Sequence, residues 1–202
     1  MRIILIPCSG SKVSGGQSNP QPSKLADVLS PASYHKLTSA RQEIAALLQK
    51  DQSLGLGFKD DDKESKYLPA FQRYQGLIYA HSDISRLYPA LKGRLVIISA
   101  MYGLLDGNDL IRNYELSMND TLPTGIRVGT FWRRHELREI LIELISREDA
   151  AEVHDLLSEQ YREALRPWPD SKIKNLRIYE YPGMGQGSSY GRAKDLKRLL
   201  SQ

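Results

Sequence analysis

The chain has 202 residues, 28 basic and 24 acidic side chains, a net charge of +4 and a single cysteine. That length serves one domain, which buries about 70% of its unfolded surface and needs no metal or disulfide to fold. One cysteine excludes an intramolecular disulfide and fits a reducing compartment, the apolar N-terminal run is too short for a signal peptide, and no run nears a membrane span, so the expectation is a soluble cytoplasmic protein.

Residues 2–6 read as a buried first strand, and residues 13–33, rich in Ser, Pro, Gly and Asn, as a long exposed loop. Leu37, Ala40, Ile44, Leu47 and Leu48 recur at helical spacing, which predicts a helix over 34–50. Residues 51–66, with two glycines and the acidic run 60–64, read as a flexible loop. A helix over 67–78 and a short one around 83–91 follow. Arg94 to Ser99 is the clearest internal strand, and its continuous branched run implies burial on both faces. Gly103 marks a turn directly after it. Residues 127–147 form a strongly amphipathic helix, and 150–165 fit either a helix or a short strand over 151–154. Leu176 to Tyr181 alternates as a strand, residues 182–192 form a glycine-rich loop, and Ala193, Leu196, Leu199 and Leu200 mark a final helix. The expected fold is α/β: a single domain over 1–202 with a mixed or mostly parallel central sheet flanked by helices.

Chemistry in such folds gathers at the carboxyl ends of strands. The first strand ends in Pro7-Cys8-Ser9-Gly10-Ser11-Lys12. Backbone amides and the hydroxyls of Ser9 and Ser11 suit an anion there, and Lys12 adds charge or activates the thiol of Cys8. The second internal strand ends at Ser99, just before Tyr102 and Gly103, so two such ends side by side make a crevice. The loop leading through Gly187 and Ser188 into the last helix is arranged like a phosphate cradle, although it matches neither a Walker A nor a dinucleotide fingerprint. From Trp168 to Gln202 seven basic residues face three acidic ones, so this segment carries the whole positive surplus, Arg192 and Lys194 included. A basic face of this kind neutralises phosphates. Eleven tyrosines against three phenylalanines favour stacking with a polar tip, and Tyr79, Tyr102 and Tyr114 lie near the crevice. The four histidines show no metal-ligand spacing, so neither a metal nor a cofactor is expected.

Five blocks in order carry a resemblance. They are Phe71 to Tyr79, Ile98 to Leu105, Asp109 to Met118, Phe131-Trp132 and Leu157 to Tyr161. Together they resemble the YaaA family of peroxide-stress proteins, the block around Tyr102-Gly103 most specifically. The resemblance implies a compact α/β fold, a role in limiting oxidative damage from iron and peroxide, and DNA binding. Lys12 carries over from the family's first loop, whereas Cys8 does not. Pro7, Cys8 and Lys12 are instead similar to the core domain of archaeosine synthases, whose cysteine acts on a deazaguanine base.

Two readings lead, and a non-catalytic interaction module ranks behind them. In the first, the chain binds nucleic acid or a nucleotide-like ligand between the Cys8–Lys12 loop and the Ser99–Gly103 turn. Arg192 and Lys194 hold phosphates there, while Tyr102 and Tyr114 contact a base. In the second it is an enzyme acting on a nucleobase or nucleoside, with Cys8 as nucleophile, Lys12 as its activator and Tyr102 or Glu115 as proton donor.

Overall fold

A computed structural model describes residues 1–19, 21–59, 66–169 and 171–202. The first half holds β1 (Arg2–Pro7), α1 (Pro31–Lys50), β2 (Gly57–Phe58), β3 (Leu68–Pro69), α2 (Ala70–Arg73), α3 (Leu77–His81) and α4 (Ile84–Leu87). Next come β4 (Gly93–Ser99), β5 (Gly103–Asp106), β6 (Leu110–Ile111) and β7 (Tyr114–Glu115). The chain ends with α5 (Val128–Arg134), α6 (Leu137–Arg147), β8 (Glu152–Asp155), α7 (Glu159–Arg162), β9 (Leu176–Ile178) and α8 (Ser188–Leu200).

Five strands form one mixed sheet in the order β5-β4-β1-β8-β9. β1 lies at its centre, parallel to β4 on one side and to β8 on the other. β9 runs parallel to β8, and only β5 is antiparallel. Ile3 to Ile6 and Leu95 to Ile98 are fully buried, as their unbroken apolar runs require. The chain passes from β1 to β4 on one flank and later crosses to β8 on the other. The order therefore reverses between β1 and β8, and this is where open α/β sheets leave a crevice at their carboxyl ends.

Several predicted elements are divided. The span 67–78 is not one helix: Tyr74 leaves α2 in an extended conformation, and Gly76 begins α3 afresh. The amphipathic span 127–147 breaks at Glu136, whose φ of 57° interrupts the helical path between α5 and α6. Both candidates for 150–165 are realised, as strand β8 followed by the single turn α7. The glycine-rich span 182–192 turns helical at Ser188, earlier than expected. Within 13–33, Leu25 and Leu29 are buried and α1 begins at Pro31, so that segment is neither wholly exposed nor wholly loop. Within 51–59 the chain forms a 3-10 turn over Gln52–Leu54 and then β2, while the acidic run 60–64 lies outside the described residues. Among the described residues no helix is long and apolar enough to cross a membrane.

Candidate functional site at the carboxyl ends of β1 and β8

Cys8 follows β1 directly, and its N–H donates to the carbonyl of Ile98 on β4 at 2.9 Å. The two predicted strand ends are thus immediate neighbours. Cys8 is 6% exposed. Its Sγ lies 3.4 Å from the hydroxyl of Tyr161, which also donates to the Cys8 carbonyl at 3.2 Å. Tyr161 stands one residue short of the end of α7, so the β8–α7 segment closes over the thiol.

On the β4 side the space is filled with tyrosine. The Tyr74 hydroxyl reaches Ser99 Oγ at 3.2 Å and the Tyr114 hydroxyl at 2.9 Å, and Ser99 and Tyr114 are 3.0 Å apart. Tyr79 donates from the other side to the carbonyl of Pro7 at 2.8 Å. Burial pushes Tyr74, Tyr79, Tyr114 and Tyr161 well above the usual phenol range, so these hydroxyls are neutral donors. Lys12 Nζ lies 4.0 Å from the centre of the Tyr114 ring and donates to the Gly10 carbonyl at 3.2 Å. Burial lowers its pKa, against the opposing pull of Cys8 and Glu115. The ring face offers the partly desolvated ammonium a cation–π partner.

The open space lies on the other flank of β1. A cavity of about 270 Å³ is lined by Cys8, Ser9, Gly10, Gly76, Ser158, Gln160, Tyr161, Ser189 and Arg192, among others. It joins the β1 loop to the first turn of α8, two regions from opposite ends of the chain. No side chain caps the amino end of α8. Arg192 Nη1 donates to Ser188 Oγ at 2.9 Å and its guanidinium packs over the Tyr181 ring, but its Nε is buried without a hydrogen-bond partner. The combination of small hydroxyls, a helix amino end without a side-chain cap and a guanidinium is chemically suited to an anion.

Asp155 anchors this arrangement. It is fully buried at the end of β8 and accepts from the N–H of Leu157 (2.7 Å), Arg162 Nε (2.9 Å) and Trp168 Nε1 (2.9 Å). These three bonds fix the turn from β8 into α7, and with it Ser158, Gln160 and Tyr161.

The structure gathers Cys8, Ser9 and Arg192 around this cavity, with Ser188 bonded to Arg192 and Gly187 capping the same helix. Lys12, Ser99, Tyr74, Tyr79 and Tyr114 form the packed wall behind the thiol. Ser11 is exposed beyond the loop, its N–H donating to Ser9 Oγ at 3.1 Å. Gly103 is buried against Trp132. Tyr102 lies on the far side of Tyr114, rings 5.7 Å apart, and its hydroxyl accepts from the N–H of Arg112. Burial raises its pKa to about 12. Glu115 is exposed and paired with Lys59 at 3.2 Å. Lys194 is exposed on α8, about 200° around the helix from Arg192, and faces away from the cavity. Sequence reasoning did not single out Gly76, Ser158, Gln160, Tyr161, Ser189 or Asp155 as site residues. A readable signal existed for the last: an aspartate ending a strand in a parallel sheet sits at the edge where function gathers. Among the described residues no three His, Cys, Asp or Glu side chains come together as a metal site.

Comparison with known proteins places the chain in a family. A UPF0246 protein of Corynebacterium glutamicum is 32% identical over 136 residues, covering 60% of this chain and 53% of its own length. A UPF0246 protein of Rickettsia conorii is 28% identical over 151 residues, covering 71% of this chain and 57% of its own. The chain therefore spans about half the length of the curated relatives it matches. The family model described as Peroxide stress protein YaaA matches residues 3–182, and the chain belongs to that family of peroxide-stress proteins.

Proposed function

We propose that this chain binds a small phosphorylated, nucleotide-like molecule, with the phosphate end held in the cavity between the β1 loop and α8. One observation carries the reading: Ser9, Ser189 and Arg192 converge on one cavity at the reversal point of the sheet. A guanidinium there binds an anionic oxygen through a charge-assisted hydrogen bond. The Arg192 guanidinium remains protonated even though burial lowers its pKa. The packed tyrosines behind Cys8 leave the β1–β8 flank as the point of entry.

Extended nucleic acid is the less favoured partner. Three of the basic residues of the C-terminal segment are in ion pairs, Lys197 with Asp83 at 2.6 Å, Arg198 with Asp195 at 3.0 Å and Arg177 with Glu152 at 3.9 Å. Lys194 faces away from the cavity. Titration calorimetry with inorganic phosphate at low and moderate salt tests the reading. Weak, salt-sensitive binding that Arg192→Ala removes and Arg192→Lys partly restores is expected. Binding unchanged by Arg192→Ala, or no binding at all, overturns it.

A second reading rests on the thiol itself, since Cys8 lines the same cavity 3.4 Å from the Tyr161 hydroxyl. In that reading the thiolate adds to an electrophilic carbon of a base, and Tyr161 is the nearest proton donor. Alkylation of Cys8 followed against pH decides it. A thiol that reacts in the native fold with an acidic midpoint supports the chemistry, and one that reacts only on unfolding ends it.

A further inference from the structure

We propose that a second cavity, beyond α7, is the other compartment of the same binding site, and that the ligand is a phosphomonoester of the nucleoside 5′-monophosphate class. This rests on the phosphate assignment to the first cavity. The second cavity measures about 310 Å³ and is lined by Asn119, Arg127, Gly129, Thr130, Glu159 and Glu163, and also by Gln160. Gln160 lines the first cavity too. The two spaces are therefore separated by the single turn of α7, which shows Ser158 and Tyr161 to one and Glu159 and Glu163 to the other, as three- and four-residue helical spacings dictate.

Size makes the pairing informative. The first cavity, at about 270 Å³, falls just below the roughly 300–1,000 Å³ range of small-molecule sites. A phosphate occupies part of it, and a whole nucleotide extends into the neighbouring space. Gln160 is the gate between them, held by one bond of 3.3 Å from its Nε2 to Ser117 Oγ.

The chemistry of the second compartment selects what enters it. Glu163 is bound by Arg133 at 2.7 Å and by Arg166 at 2.8 Å, and Glu159 by Arg166 at 2.8 Å. Both carboxylates are thus already paired with guanidinium groups, and Arg127 also lines the space. The carboxylates' free oxygen lone pairs accept from the hydroxyls of a ribose and the amino groups of a base. Asn119 and Thr130 add amide and hydroxyl partners. The compartment therefore offers acceptors to an uncharged, donor-rich body.

Calorimetry with inorganic phosphate and with adenosine and guanosine 5′-monophosphate tests the assignment. The monophosphates should bind about tenfold or more tighter than phosphate. Asn119→Ala and Thr130→Val should each weaken the monophosphate several-fold and leave phosphate binding unchanged. Equal affinity for monophosphate and phosphate, or monophosphate binding that ignores both substitutions, overturns the second compartment while the phosphate site stands. Loss of phosphate binding itself would instead indict the first cavity.

Discussion

Gly103 offers the sharpest test of how the two strand ends are held together. It starts β5 directly after the turn from β4, at a φ of +69°, in the left-handed region that an L-residue enters at a cost of about 1–2 kcal/mol. A Cβ built there falls 2.6 Å from Trp132 Cζ3 and within 2.9 Å of two further ring atoms. The indole cannot yield. It is fully buried, and its Nε1 donates to the carbonyl of Ala100 at 2.7 Å in the same turn. Overpacking of that kind costs about 1–3 kcal/mol. Gly103→Ala is therefore expected to lose about 2–5 kcal/mol, out of a total stability of about 5–15 kcal/mol. With a urea slope near ~3 kcal/mol/M for a chain of this size, the unfolding midpoint should fall by about 0.7–1.7 M. In a Trp132→Leu background the steric part vanishes, and the further cost of Gly103→Ala should shrink to the backbone part of about 1–2 kcal/mol. A midpoint shift below ~0.3 M in the single variant, or full additivity in the double variant, would refute the reasoning.

Gly76 approaches the β1 loop from α3, and its added Cβ would stand 2.3 Å from Ser9 Oγ. A serine hydroxyl rotates away cheaply, so Gly76→Ala should cost less than about 1 kcal/mol in denaturation yet reduce phosphate affinity about tenfold in calorimetry. Arg73 is fully buried and donates to the carbonyls of Val13, Gly15 (2.9 Å), Lys66 (3.0 Å) and Ile111 (3.3 Å). Arg73→Met strands several of these acceptors, and a loss of about 3 kcal/mol or more is expected, with faster proteolysis in 13–19. Glu143, on α6, feels burial most strongly, which pushes its pKa up. The Ser33 hydroxyl, the Ser30 N–H and Arg147 together outweigh that and bring it to about 2. A folded pKa below the unfolded value of about 4.3 contributes stability above that pH, and the contribution fades as the pH falls toward 2. Glu143→Gln should therefore cost about 1–2 kcal/mol at pH 7, allowing for its partial exposure, and nearly nothing at pH 2 by urea unfolding.

What the sequence made legible follows a physical line. β1 and β4 were readable because a strand buried on both faces needs an unbroken apolar run, and each has one. Their adjacency, with Cys8 bonded to Ile98, followed from the usual placement of such ends. The breaks were not readable. Glu136 and Tyr74 interrupt apolar patterns whose spacing continues correctly across them, because packing against the sheet decides where a helix bends. The tyrosine count was visible, but not its use. Ser99, Tyr74 and Tyr114 close a hydroxyl ring that fills the crevice expected on the β4 side, and only three-dimensional packing reveals a filled space. Arg192 was picked from charge and loop composition, whereas Lys194, chosen on the same grounds, differs by a two-residue offset that turns it to the opposite face.

The two walls of the cavity come from distant parts of the chain. The β1 loop and the partition that carries Gln160 lie within residues 3–182, the span of the family match, and Ser189 and Arg192 follow on α8. The guanidinium comes from the α8 wall. α8 is held in place by its own packing, through Ala193, Leu196, Leu199 and Leu200 buried on one face, and by Arg2 Nη1 donating to the Leu199 carbonyl at 3.1 Å. Because that face is fixed by burial, Arg192 and Ser189 present a preformed surface to the β1 loop. A ligand bound there has little ordering of the helix to offset, so its affinity reports directly on the contacts that Arg192 makes.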